Sequence, residues 1–147
     1  ASEFAGTVPV RHLLPYWKTS NRYLFSGGSV NMRDAAVYAK EENWSKAVEL
    51  WKQTYETKKG KQKMYAAYNT ALGYEMQDSI DTALEWALKA QTLAREKSKT
   101  DKKETGEIHD GTISYYIFIS MYVDELEKRK EGMARLNMQM NRFDDDF

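Results

Sequence analysis

Side chains able to do acid–base, nucleophilic or metal chemistry are few in this sequence, and their spacing suits none of those tasks. His12 and His109 are the only imidazoles. They fall in different irregular stretches, neither has a ligating partner one helical turn away, and both read as loop histidines. There is no cysteine, which excludes thiolate nucleophiles, thiolate zinc sites and disulfides. Asp78 and Asp81 do not make a calcium loop, because the glycine and the closing glutamate of that pattern are missing. They read instead as helix-start residues. Gly27-Gly28 is too short to cradle a phosphate, and no Gly-Lys-Ser follows it. No Gly-x-Ser-x-Gly elbow is present. The sequence therefore predicts a chain that is not an enzyme, with no cofactor and no metal.

Binding is the function class left open, and composition narrows it. A chain of 147 residues is one domain by the usual span of about 100–200 residues. Four Trp and ten Tyr supply large side chains for a core, while only two Pro and eight Gly punctuate the chain, which favours long helices over many turns. The formal charge is +0, whereas a nucleic-acid binder needs surplus Lys and Arg to displace counterions. Two lysine clusters, Lys58/Lys59/Lys61/Lys63 and Lys97/Lys99/Lys102/Lys103, read as solvated helix ends or loops. No apolar run reaches the roughly 18 residues of a membrane span. The chain opens on Ala1-Ser2-Glu3 without Met, as expected of a processed or truncated product.

Spacing predicts the elements that would carry a binding surface. Residues 1–30 read as an irregular N-terminal segment, with one or two helical turns within 16–25, that packs its Leu13, Leu14, Trp17, Tyr23 and Phe25 on the helices after it. Two helical hairpins are expected over 31–58 and 62–97. Trp44, Ala47, Val48, Trp51 and Tyr55 recur at three and four in the first; Tyr65, Tyr68, Ala71, Leu72 and Met76 do so in the second. Polar residues 98–110 read as a loop, 111–141 as a long capping helix, and 142–147 as a disordered tail. On the long helix, Glu125→Arg129 and Glu131→Arg135 read as solvated i,i+4 pairs, and Gly132 as a place to bend or fray.

A repeat ties the hairpins together. Ala35, Tyr38, Trp44 and Ala47 recur as Ala71, Tyr74, Ile80 and Ala83, each 36 positions on, and a constant period in this range marks stacked helix pairs. The stretch Ala67-Tyr68-Asn69-Thr70-Ala71-Leu72-Gly73-Tyr74-Glu75-Met76-Gln77-Asp78 resembles the first-helix signature of the tetratricopeptide repeat. Departures are Thr54 in place of a small apolar residue, Ala87 in place of a large aromatic, and the absence of the closing proline. The resemblance implies an all-α fold and a protein- or peptide-binding adaptor. It also implies ligand-facing residues on the first helix of each pair: Met32, Ala36, Ala39 and Lys40, then Tyr65, Tyr68, Leu72, Glu75 and Met76. The alternative expectation at those positions is that the last helix fills the groove and makes them core. Pro15-Tyr16-Trp17 with Asn21-Arg22-Tyr23, followed by the region 35–90, is similar to a family of predicted lipoproteins of Bacteroidetes. That likeness implies a cell-envelope location with any lipid anchor outside this chain; the cytoplasm is the alternative. The richness in Tyr and Trp leaves a second binding class open, a glycan-binding helper with exposed coplanar rings.

Overall fold

Three-residue turns join the helices of each pair, and both turns are built the same way. The structure, a computed structural model, describes residues 4–12, 18–105 and 110–146, with side-chain surroundings for residues 22–99 and 115–143. A hairpin of β1 (Phe4–His12) and β2 (Lys18–Phe25) precedes five helices: α1 (Val30–Lys40), α2 (Trp44–Thr57), α3 (Lys61–Met76), α4 (Ile80–Thr105) and α5 (Asp110–Asp146). The body is all-α, and each helix packs on the next.

The 36-residue repeat survives down to single hydrogen bonds. At the end of α1, Asn43 N donates to Tyr38 O at 2.9 Å and Glu42 N to Ala39 O at 3.0 Å. At the end of α3, Ser79 N donates to Tyr74 O at 2.9 Å and Asp78 N to Glu75 O at 2.9 Å. Each set closes a Schellman turn, which needs one left-handed residue. Glu42 (φ 60°) and Asp78 (φ 61°) supply it without the usual glycine. The next residue then starts the following helix, and the Asn43 side chain accepts from Lys46 N at 3.4 Å as its cap. Ala35 and Ala71, like Ala47 and Ala83, have no exposed surface. Such small side chains let helices approach closely. Gly73 shows how closely: a Cβ there would collide with the Val48 Cγ2 methyl and press on the Trp51 ring.

Several sequence expectations need correction. Among the described residues of the N-terminal segment, 4–12 and 18–25 are not irregular, and no helical turn falls within 16–25. Instead β1 and β2 pair antiparallel, from Phe4↔Phe25 to His12↔Lys18, with an irregularity between Phe4 and Gly6. Thr7, Val8 and Val10 suit a strand, but its register depends on a partner strand 6 to 21 residues away. Leu13, Leu14 and Trp17 lie outside the described residues; of the expected packing residues, Leu24 and Phe25 are buried and Tyr23 is 46% exposed. The expected loop at 98–110 is helical to Thr105, and the remainder to 109, with His109, lies outside the described residues. The tail at 142–147 is helical as far as Asp146. Extending an existing helix adds one bond per residue fixed, so a polar stretch without an apolar stripe can continue one. Helix α5 also runs unbroken through Gly132, which is buried.

Candidate functional site

Helix α3 lies at the centre of the bundle and is enclosed almost all round: every residue from Met64 to Gly73 is buried. One face meets α2 and another α4. The third, where the repeat resemblance places ligand contacts, is covered by β2 and α5. Met32, Tyr65, Tyr68, Leu72 and Glu75 are therefore interior residues, Ala36 and Ala39 with them. Met76 is half-buried, and only Lys40 of the expected groove set is exposed. The groove exists, but the chain fills it from both sides. The physical reason is apolar area, because two helix pairs cannot cover their own inner face and must be capped.

Strand β2 is held as an extended peptide would be. Asn69 Oδ1 accepts from Phe25 N at 2.9 Å, and Asn69 Nδ2 donates to Phe25 O at 2.6 Å. The Tyr68 hydroxyl donates to Tyr23 O at 2.6 Å. Side chains of α3 thus take the place of a neighbouring strand and satisfy polar groups that burial would otherwise leave unpaired. The Phe25 ring stacks on Tyr65 at 4.3 Å and meets Tyr68, Tyr115 and Phe118 edge-on. Edge contacts and offset stacks suit the ring quadrupole.

Nearly two turns further along α3, Glu75 is fully buried and anchors a charge network. Arg22 donates to both its oxygens at 3.1 Å. The Tyr122 hydroxyl donates to Oε1 at 2.9 Å, and Arg129 Nη1 to Oε2 at 3.3 Å. Arg129 Nη2 reaches Asp78 Oδ1 at 2.6 Å. Two guanidinium groups and two carboxylates balance. Burial alone would lower the Arg22 pKa, but the hydrogen bonds and charge of Glu75 outweigh it and hold it above its ordinary value. Burial first, then the Glu75 charge, raises both the Tyr68 and Tyr122 phenols well above theirs. Both stay neutral donors. With its oxygens occupied and no access to water, Glu75 is placed to lock β2, α3 and α5 together.

Beside this network Arg22, Tyr23, Tyr68, Phe118, Met121, Tyr122 and Glu125 line an open, mostly apolar cleft of ≈170 Å³ between β2 and α5. Met121 is 63% exposed, and Ile117, one turn before it on α5, is exposed as well. On the α2–α4 side, Tyr55 and Trp86 meet edge-to-face at 81° rather than coplanar, with Lys89 Nζ 4.1 Å from the Trp86 centroid. Among the described residues no cluster of His, Asp and Glu could hold a metal ion, and no helix is long and apolar enough to cross a membrane.

Sequence reasoning missed Arg22, Asn69, Tyr122 and Arg129 as members of the site. Arg129 is not on a solvated face: it is buried, and Glu125 pairs with Lys128 at 3.7 Å instead. A signal was present, since Arg129 continues the spacing of Tyr122 and Leu126 toward Met133. An arginine on an apolar stripe needs a buried acid. Asn69, at the spacing of Tyr65 and Leu72 on the inward face of α3, calls for a similar partner.

No curated protein and no solved structure matches this chain. The family described as a domain of unknown function (DUF6340) matches residues 33–128, from α1 through most of the buried part of α5, and the chain belongs to that family.

Proposed function

We propose that the chain is a non-catalytic binding scaffold of the tetratricopeptide type, which docks a protein or peptide in the cleft between β2 and α5. The observation that carries this reading is the cleft itself. Met121 (63% exposed) and Tyr23 (46%) reach solvent on its walls, while Arg22 and Glu125 mark its polar side. Met adapts to varied apolar surfaces, and Tyr and Arg are the residue types that dominate interface energy. The polar groups that could otherwise do chemistry there, Tyr68, Tyr122 and Arg22, are committed to Tyr23 O and Glu75. The 36-residue correspondence of the two turns supports the repeat-type reading. A protein ligand is favoured over a glycan because the partly exposed Tyr55–Trp86 pair is edge-to-face and capped by lysine, so it offers no flat platform. An envelope location belongs to the same proposal.

The test is capture of partners from an envelope fraction by the immobilised chain and by its Met121→Glu variant, with the partner identified by mass spectrometry. Because Met121 is a surface residue, the melting temperature should hold within about 2 °C, as surface changes rarely exceed about 0.5 kcal/mol. A partner retained by the wild type and lost by Met121→Glu is the expected result. Equal capture by both, with the variant folded, would remove the cleft from consideration.

A further inference from the structure

Helix α5 outruns the bundle that it caps. Lys130 is level with the start of α4, where it meets Asp81 at 3.0 Å. Beyond that level every residue from Ala134 to Phe143 is exposed, apart from half-buried Leu136. At 1.5 Å per residue the stretch from Lys130 to Phe143 is about 20 Å long. Its apolar stripe is continuous with the one that builds the core. Ile119, Tyr122, Leu126 and Arg129 recur at three and four and are buried in the body. Met133, Leu136, Met140 and Phe143 keep the same alternation without a break. This spacing averages 3.5 residues, the period at which one helix packs along another. We propose that the C-terminal extension of α5 pairs with the same stretch of a second copy, as a two-stranded antiparallel coiled coil centred near Met138. This goes beyond the cleft reading and does not depend on what the cleft binds.

Two observations name the occupant and its direction. First, Leu136, Gln139, Met140 and Phe143, at positions i, i+3, i+4 and i+7, line an open hollow on the stripe. Four residues in that arrangement are the hole into which a side chain of a facing helix inserts. With the two extensions antiparallel about Met138, Leu136 of the second copy enters that hole beside Met140, and Met133 comes level with Phe143. The stripe then covers itself. Second, the flanking residues match only in that direction. Lys130 falls beside Asp144 of the second copy, twice by symmetry, and the uncharged Asn137 and Gln139 meet their own counterparts at the centre. Charges that flank the seam set partner and orientation. A parallel pair would instead set the run Asp144-Asp145-Asp146 beside its own copy, where like charges repel, and bring both bodies to one end. The pair that Lys130 makes with Asp81 is solvent-exposed and screened, so it leaves the lysine available. The contact is self-complementary, as a two-fold dimer requires. It is also short, which puts the dimer in the weak, concentration-dependent class.

The test is sedimentation equilibrium over a concentration series, read against a monomer of 17.1 kDa. A reversible monomer–dimer equilibrium is expected. Met140→Lys, in the stripe, should weaken the dimer at least about tenfold. Met138→Lys changes a residue just as exposed (57% against 58%) on the opposite face of the same helix, and should weaken it less than about twofold. Melting of each variant in dilute solution checks that the body still folds. A wild type that stays monomeric up to about 1 mM overturns the proposal, as do two methionine variants that weaken the dimer alike. A dimer lost in Met121→Glu would place the contact in the cleft and overturn it too, so the failure of this proposal and of the cleft reading are told apart. A second arm reads direction. Lys130→Glu and Asp144→Lys each set like charges together in an antiparallel homodimer, whereas their mixture restores both pairs. Native mass spectrometry of that mixture should show heterodimer well above the random share. A random distribution overturns the antiparallel register.

Discussion

Replacing Glu75 with Gln keeps the shape of the side chain and removes its charge, so it isolates what the buried network contributes. In the native chain one carboxylate neutralises Arg22 and, with Asp78, Arg129. After Glu75→Gln, Arg129 keeps Asp78 at 2.6 Å, but Arg22 loses its sole ion-pair partner among the described residues while remaining 7% exposed. Removing one partner of a buried pair costs about 3–5 kcal/mol, because the orphaned charge cannot be rehydrated in place. The glutamine carbonyl can still accept one hydrogen bond, from Tyr122 or Arg22, which puts the expected loss near the lower end, about 3 kcal/mol. Against a domain stability of about 5–15 kcal/mol this is a large share. With a urea slope of about 2 kcal/mol/M, the midpoint should fall by about 1.5 M. The assay is urea unfolding followed by far-ultraviolet circular dichroism, with slopes compared to confirm two-state behaviour. Arg22→Met with Glu75→Gln should cost clearly less than the two single changes summed, since each removes what the other leaves stranded. A midpoint shift below about 0.3 M, or strict additivity, would show that the network is solvated and that its assigned role is wrong.

The paired turns make a matched contrast. Glu42→Gly relieves a left-handed, exposed residue and should raise stability by about 0.5–1 kcal/mol, whereas Asp78→Gly gives the same relief but strips Arg129 of a partner and should lower it by about 1 kcal/mol. Both are read as urea midpoints. Gly73→Ala improves helix propensity by about 1 kcal/mol but forces a methyl into Val48, at an overpacking cost of about 1–3 kcal/mol; it should be destabilising alone and rescued by Val48→Ala. Stability should also fall at alkaline pH. The Tyr68 and Tyr122 pKa values are raised in the fold, so their contribution is intact below the unfolded value of about 10 and drains away above it. Two such groups give a slope approaching about 2.7 kcal/mol per pH unit, and Tyr122→Phe should halve it in chemical denaturation between pH 9.5 and about 11.

Much of the fold was legible in local spacing. Apolar residues at three and four mark α1 to α3 and the start of α4 to within a few positions, and the 36-residue echo from Ala35 to Ala83 anticipates two turns with the same hydrogen bonds. The candidate site was far less legible. The spacing puts Tyr65, Tyr68, Leu72 and Glu75 on one face of α3, but it leaves two outcomes for that face, an open groove or one filled by the last helix, and the face is filled. Strand β2 was hidden for a related reason. Helical hydrogen bonds close over four residues and are written in nearby side chains, whereas β2 takes its partners from β1 and from Tyr68 and Asn69, more than forty residues away.

Short-range chemistry thus suffices to specify the helices, their caps and the row of side chains that α3 turns inward. Which surface covers that row is decided only when the hairpin and α5 arrive together. Burying Glu75 is tolerable only if Arg22, Tyr122 and Arg129 come from separate elements to satisfy it. That condition belongs to the assembled chain, because desolvating a charge is costly until every partner is in place.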